Sequence, residues 1–206
     1  MGFYRDQVVP RVIDRTCGAT ALQRWRAQVS TGLVGRVVEI GFGSGLNVEH
    51  YPKEVDEVLA IEPTALAKKL ARKRVARSSI AVLHVGLDAQ ALALDDASCD
   101  SALATFTLCT VPDAHQVLVE IRRVLRPGGS FHFLEHGLSP DESVARWQRR
   151  LDPFQQRVAD GCHLTREPLA LVADAGFDLT WSEERYAKGP KPWSYFTIGA
   201  ATKPRS

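Results

Sequence analysis

The stretch Glu39-Ile40-Gly41-Phe42-Gly43-Ser44-Gly45 decides how this chain is read. It closes an apolar run from Arg36 to Gly41, which reads as a buried strand ending in glycines. Glycines let a backbone turn sharply and come close to a ligand, and a helix starting there would offer unpaired N–H groups. The spacing Gly41-x-Gly43-x-Gly45 differs from the G-x-G-x-x-G of dinucleotide binders, whose third glycine is replaced here by Leu46. Glu39, two residues before the first glycine of the loop, suits a partner bearing an ammonium group and would repel a pyrophosphate. Glu62 ends the next apolar run, where a carboxylate can accept from both hydroxyls of a ribose.

Outward from this loop, strands are expected at Val55 to Ile61, Ile80 to Val85, Ser101 to Phe106 and, after the turn Arg126-Pro127-Gly128-Gly129, Ser130 to Leu134. Helices are expected at Ala65 to Ala76, Ala114 to Leu125, Glu142 to Arg157 and Arg166 to Ala175. Asp113 reads as an N-cap, as does Thr165, and Gly176 as a C′ glycine. Phe177 to Tyr186 and Tyr195 to Thr202 read as a closing hairpin joined by Lys188 to Pro192. Five β-α units and a hairpin imply an α/β fold whose sheet is mostly parallel, with an antiparallel strand at one end. The pattern is that of a single domain, 1–206, in which 1–34 form a helical N-terminal cap and 35–206 the core. The cap has two apolar faces, one of Val8, Val9, Val12 and Ile13, the other of Leu22, Trp25 and Val29. The third strand is followed by Gly86-Leu87-Asp88-Ala89-Gln90, where Asp88 and the Ala89 N–H are placed to meet a nucleoside base.

The 206 residues carry 26 basic and 24 acidic side chains, a net charge of +2 that makes no case for nucleic acid or a membrane surface. No apolar run has the roughly 18–20 residues of a membrane span. The N-terminus has no basic segment followed by an apolar one, so a cytoplasmic location is expected. Cys17, Cys99, Cys109 and Cys162 include no C-x-x-C pair, so no metal site is expected; Cys109 and Cys162 fall near the presumed site.

The chain resembles the class I S-adenosylmethionine-dependent methyltransferases over almost its whole length. The residues that carry the likeness are Glu39 to Gly45, Glu62, Asp88-Ala89 and Arg123-Val124-Leu125-Arg126-Pro127-Gly128-Gly129. A narrower likeness, to the methyltransferase-like 7 group of alkyl thiol S-methyltransferases, rests on further stretches. These are Phe106 to Val111, Phe133-Leu134-Glu135-His136, Leu151-Asp152-Pro153, Asp160 to Glu167, and Gly45-Leu46-Asn47 with Tyr51-Pro52. The animal members carry a hydrophobic N-terminal anchor that this sequence does not show, and Pro192 to Ile198 match poorly. The resemblance implies a Rossmann-like, doubly wound, seven-stranded sheet and S-adenosyl-L-methionine as cofactor. It implies cofactor contacts from Glu39, Gly41, Phe42, Gly43, Gly45, Asn47, Glu62, Pro63, Asp88, Ala89, Thr105, Phe106 and Thr107.

Methyl transfer from a sulfonium is an in-line displacement in which the protein supplies orientation and a dry pocket. A thiol, phenol or amine acceptor must lose a proton, which calls for a nearby base. His136, just past the fifth strand, is the first candidate, with His163 and Asp160 next. Tyr4 and Asp6 are placed to approach from the cap. The expected reaction is methylation of a small-molecule acceptor, a thiol or other soft heteroatom. The alternatives are an oxygen or nitrogen acceptor on a quinone, phenol or lipid headgroup, a nicotinamide-dependent oxidoreductase, and a non-catalytic cofactor-binding protein. The sequence assigns no oligomeric state.

Overall fold

A computed structural model describes residues 7–205. Tyr4 and Asp6 lie outside the described residues. Two helices, α1 (Val9–Cys17) and α2 (Thr20–Ser30), precede β1 (Gly35–Ile40), β2 (Val55–Ile61), α3 (Ala65–Val75), β3 (Ala81–Gly86) and β4 (Cys99–Thr105). There follow α4 (Ala114–Val124), β5 (Leu125–His136), α5 (Glu142–Val158), α6 (Pro168–Asp174), β6 (Asp178–Tyr186), α7 (Lys191–Ser194) and β7 (Tyr195–Thr202). The strands form one seven-stranded sheet in the order β3-β2-β1-β4-β5-β7-β6. All pairs from β3 to β5 are parallel, and β7 runs antiparallel to both β5 and β6. The expected doubly wound sheet is therefore present.

The central strands are buried on both faces, which is why they read as nearly continuous apolar runs. One face packs Val117, Leu118 and Ile121 of α4 with Phe131, Phe133 and Val172. The other packs Leu22, Trp25 and Val29 of α2 with Val37, Val58, Leu103 and Ile198. Asp113 caps α4, accepting from the Gln116 N–H at 2.9 Å. Gly176, at φ +78°, turns the chain after α6.

Four expectations are corrected. The glycine loop leads into a single 3-10 turn, Val48–His50, in place of a regular helix. No helix lies between β3 and β4, so the β-α alternation is incomplete. Residues 87–98 are helix formers by composition, but their backbone partners are taken elsewhere: the Leu92 N–H donates to Glu120, and Arg123 donates to the carbonyls of Leu92 and Leu94. Thr165 does not cap α6; Glu167 stands at that position, with Pro168 opening the helix. The link between β6 and β7 folds into the short α7. The Arg126-Pro127-Gly128-Gly129 turn is present as an irregularity within β5, with Gly128 at φ +82°.

With no helix behind it, the glycine loop is held by side chains. Glu39 is 1% exposed and accepts from Asn47 Nδ2 at 2.8 Å and from the Tyr51 hydroxyl. Thr107 closes over Gly41, donating to the Ile40 carbonyl at 3.0 Å. A Cβ at Gly41, where φ is +70°, would stand 2.1 Å from Thr107 Oγ1.

Gly41→Ala is expected to lower stability by about 2–4 kcal/mol, through overpacking and left-handed strain together. Gly43→Ala, whose Cβ meets nothing closer than the Gly41 carbonyl at 3.7 Å, should cost only about 1–2 kcal/mol. Urea unfolding of both variants measures the difference. Burial raises the Glu39 carboxyl from 4.5 to about 7. The cofactor-free folded chain thus keeps a proton that the unfolded chain releases. This contribution is complete below about pH 4.5 and is lost as the pH rises to 7, a fall of roughly 3 kcal/mol at most. Glu39→Gln should flatten that part of the stability–pH curve; an unchanged slope from pH 5 to 7 would contradict a protonated Glu39.

Candidate active site

A cavity of about 380 Å³ opens at the carboxyl edge of the sheet, where ligands bind in folds of this kind. Its floor is Gly41, Phe42 and Gly43 from the loop after β1, with Glu62, Pro63 and Thr64 after β2. Asp88 and Ala89 face it from the loop after β3, and Thr105, Phe106 and Thr107 from the end of β4. Val9, Pro10, Ile13 and Cys17 of α1 complete the wall, so the cap shapes the cavity. Asp14 ties that helix to the glycine loop, accepting from Ser44 Oγ at 2.6 Å and Arg74 Nη1 at 2.9 Å.

Eleven of the thirteen residues assigned to the cofactor from the sequence line this cavity; Glu39 and Gly45 do not. Glu39 is off the lining, its two oxygens taken by Asn47 and Tyr51, of which Asn47 lines the cavity. Gly45, at φ +74°, turns the loop against Ala71, Val48 and Phe42. Glu62 is 6% exposed; its Oε2 accepts from the Gly43 N–H at 2.8 Å and its Oε1 from the Thr64 N–H at 2.7 Å. Asp88 forms an Asx turn, accepting from the Gln90 N–H at 2.8 Å, and does not cap a helix.

Of the three expected bases, two share a recess and the third stands apart. Asp160, at φ +52°, lines the cavity and also an adjoining recess that His163 shares. His163 Nδ1 stands 3.5 Å from Asp152 Oδ2. His136 is on neither lining. Its ring lies behind Phe106, with centroids 5.7 Å apart, and against Phe196 at 4.6 Å. Phe106 holds a backbone φ of +56°, costly for a bulky residue and common near functional sites.

Two important residues escaped the sequence reading. Arg26 is 3% exposed and lines the cavity, donating to Asn47 Oδ1 at 2.7 Å and Thr105 Oγ1 at 2.9 Å. Its signal was an arginine four residues after Leu22, on the apolar face of α2. Glu135 is fully buried and accepts from the N–H groups of Thr107, Leu108 and Cys109, which fixes the loop after β4.

The residues present fit S-adenosyl-L-methionine. The volume is that of a small-molecule site. A Cβ on Gly43 would meet only the Gly41 carbonyl, at 3.7 Å, so the glycine leaves room for a ligand against the backbone. Glu62, Asn47, Asp88, Arg26 and Asp160 put polar groups on a wall that also carries Val9, Ile13, Ile40, Leu46 and Ile61.

Comparison with known proteins agrees. Residues 38–133 match the model of a methyltransferase domain family. Human thiol S-methyltransferase TMT1B is 36% identical over 82% of this chain and 70% of its own length. The rat TMT1B is 34% identical over 79% of this chain and 66% of its own length. The chain thus spans about two thirds of the length of these relatives. Among solved structures, an S-adenosylmethionine-dependent methyltransferase from Thermotoga maritima superposes with a TM-score of 0.70, at 23% identity and 98% coverage of both chains. A geranyl diphosphate methyltransferase in complex with sinefungin also reaches 0.70, at 16% identity, over 89% of this chain and 78% of its own. From its sheet order, its glycine loop and these relatives, the chain belongs to the class I S-adenosylmethionine-dependent methyltransferases, in the family of the thiol S-methyltransferases TMT1A and TMT1B.

Proposed function

We propose that the chain methylates the sulfur of a small-molecule thiol. The observation that carries this reading is the 36% identity to human thiol S-methyltransferase TMT1B, over 82% of the chain. A cytoplasmic location belongs to the same proposal; among the described residues no helix is long and apolar enough to cross a membrane.

The bound cofactor supplies an electrophilic methyl group on a sulfonium sulfur. The chain's residues bind, orient and keep the site dry. Glu62 is set to accept from ribose hydroxyls while it holds the glycine loop through the Gly43 N–H. Asn47, its amide fixed by Glu39, Thr105 and Arg26, lines the cavity. Val9, Ile13 and Leu46 make the wall apolar and exclude water. The thiolate is the nucleophile, and a free thiol near its ordinary value of about 8.5 is mostly protonated at neutral pH. Asp160 is the carboxylate that borders both the cavity and the His163 recess, so it is the residue we assign to receive the acceptor's proton. His163, beside Asp152, offers the next site on the way to solvent. His136, behind Phe106, is assigned no proton transfer in this scheme.

Incubation with labelled cofactor and a panel of alkyl thiols, phenols, quinols and amines should label thiols first. Label on phenols or amines but not on thiols would overturn the acceptor assignment. Glu62→Ala should weaken S-adenosylhomocysteine binding by about 10–100-fold in calorimetry, the worth of hydrogen bonds to a charged group. Asp160→Asn should leave that affinity within about 3-fold and lower kcat at pH 7 by about 100-fold or more. Equal kcat for the two would remove Asp160 from proton transfer.

A further inference from the structure

Behind the Phe106 ring, three side chains from separate segments point at one another. Cys109 follows β4, His136 ends β5, and Cys162 follows α5. Their ligand atoms form a nearly equilateral triangle: Sγ to Sγ 3.7 Å, Cys109 Sγ to His136 Nδ1 3.8 Å, and Cys162 Sγ to His136 Nδ1 3.7 Å. Both cysteines are buried, at 1% and 6% exposure, and both are free thiols.

The imidazole is oriented for this arrangement. His136 Nε2 lies 3.2 Å from the Trp193 carbonyl, which can only accept, so Nε2 carries the proton. In the neutral ring Nδ1 is then the bare nitrogen, and it faces both sulfurs. Metal-bound histidines are held in this way, with the second ring nitrogen donating to a backbone carbonyl.

We propose that Cys109, His136 and Cys162 form a binding site for Zn²⁺. An ion at the usual ~2.3 Å from each sulfur and ~2.0 Å from nitrogen fits inside this triangle without moving the ligands. The ligand angles would then be about 107° between the sulfurs and about 120° from nitrogen to each sulfur, between tetrahedral and trigonal, for those bond lengths. Two thiolates and an imidazole suit a thiophilic cation. Three protein ligands leave a fourth position open to an exchangeable ligand.

Charge and protons balance. Zn²⁺ enters, two thiol protons leave, and the two thiolates neutralise the ion, so no net charge is buried. No oxidant or reductant is needed. The sequence pointed away from a metal because no C-x-x-C pair exists; here the ligands are 27 and 26 residues apart. The ion would tie the loop after β4, the end of β5 and the segment after α5 together.

The experiment uses the full chain, stripped with a chelator under reducing conditions and titrated with Co²⁺ as a spectroscopic probe for Zn²⁺. One equivalent per chain should bring up a thiolate-to-cobalt charge-transfer band, displaced by one equivalent of Zn²⁺. Cys162→Ser and Cys109→Ser, near-isosteric changes checked for folding by circular dichroism, should remove the band and weaken Zn²⁺ by ~100-fold or more, beyond the usual cost of losing an outer-shell partner. Absence of the band in the wild-type chain would overturn the proposal. So would a band of full intensity in Cys162→Ser, or retention of Cu⁺ with no uptake of Zn²⁺. The wild-type titration keeps the test valid should a serine variant fail to fold. Because the readout is absorbance, its result is independent of which acceptor the site methylates.

Discussion

Three buried carboxylates at the carboxyl edge of the sheet organise everything around the site. Glu39 at the end of β1, Glu62 just after β2 and Glu135 near the end of β5 are 1%, 6% and 0% exposed. A buried carboxylate is costly without donors, so each is satisfied by a loop. Asn47 and Tyr51 serve Glu39, the N–H groups of Gly43 and Thr64 serve Glu62, and those of Thr107, Leu108 and Cys109 serve Glu135. Where a helix would normally hold the glycine loop, this chain uses side chains anchored to acids.

That substitution explains which parts were legible in the sequence. The strands were, because burial on both faces writes itself as apolar runs such as Val55 to Ile61. The glycine spacing was, because Gly41, Gly43 and Gly45 all hold positive φ angles. The helices missing after β1 and β3 were not. Residues 87–98 have helical composition, yet Glu120 and Arg123 of α4 take their backbone groups, a tertiary competition that local propensity cannot reveal. Likewise, the sequence reads Glu39 as an acid facing a ligand, but only the fold shows that it is off the cavity lining and bonded to Asn47, which is on it.

The family-like stretches Phe106 to Val111, Phe133 to His136 and Asp160 to Glu167 looked like separate motifs in the sequence. In the fold they converge. Each contributes one member of the Cys109, His136, Cys162 cluster, and each contributes to the same hydrogen-bonded unit. Glu135 fixes the Thr107 to Cys109 backbone, Arg166 donates to the carbonyls of Leu108 and Val111, and the His163 N–H donates to the Cys109 carbonyl at 2.7 Å. Contacts over 26 to 58 residues leave no periodicity to read, which is why the cluster was invisible without coordinates.

Phe106 joins this unit to the cavity. Its strained backbone is fixed by its own N–H, which donates to the Leu134 carbonyl at 2.8 Å, and its ring packs against His136 and Phe196 with the Arg26 guanidinium 5.3 Å from its centre. Left-handed backbone at a bulky residue costs of order 1–3 kcal/mol and persists only where the surroundings over-determine it. Here a sheet hydrogen bond, two aromatic contacts and a cation do so. The effect is to place one ring against two chemically different groups: it lines the cavity that takes the methyl donor, and it packs on the imidazole that faces the two sulfurs. None of the cluster's three residues lines that cavity, so its thiols, themselves chemically competent methyl acceptors, stand outside the pocket that takes the donor.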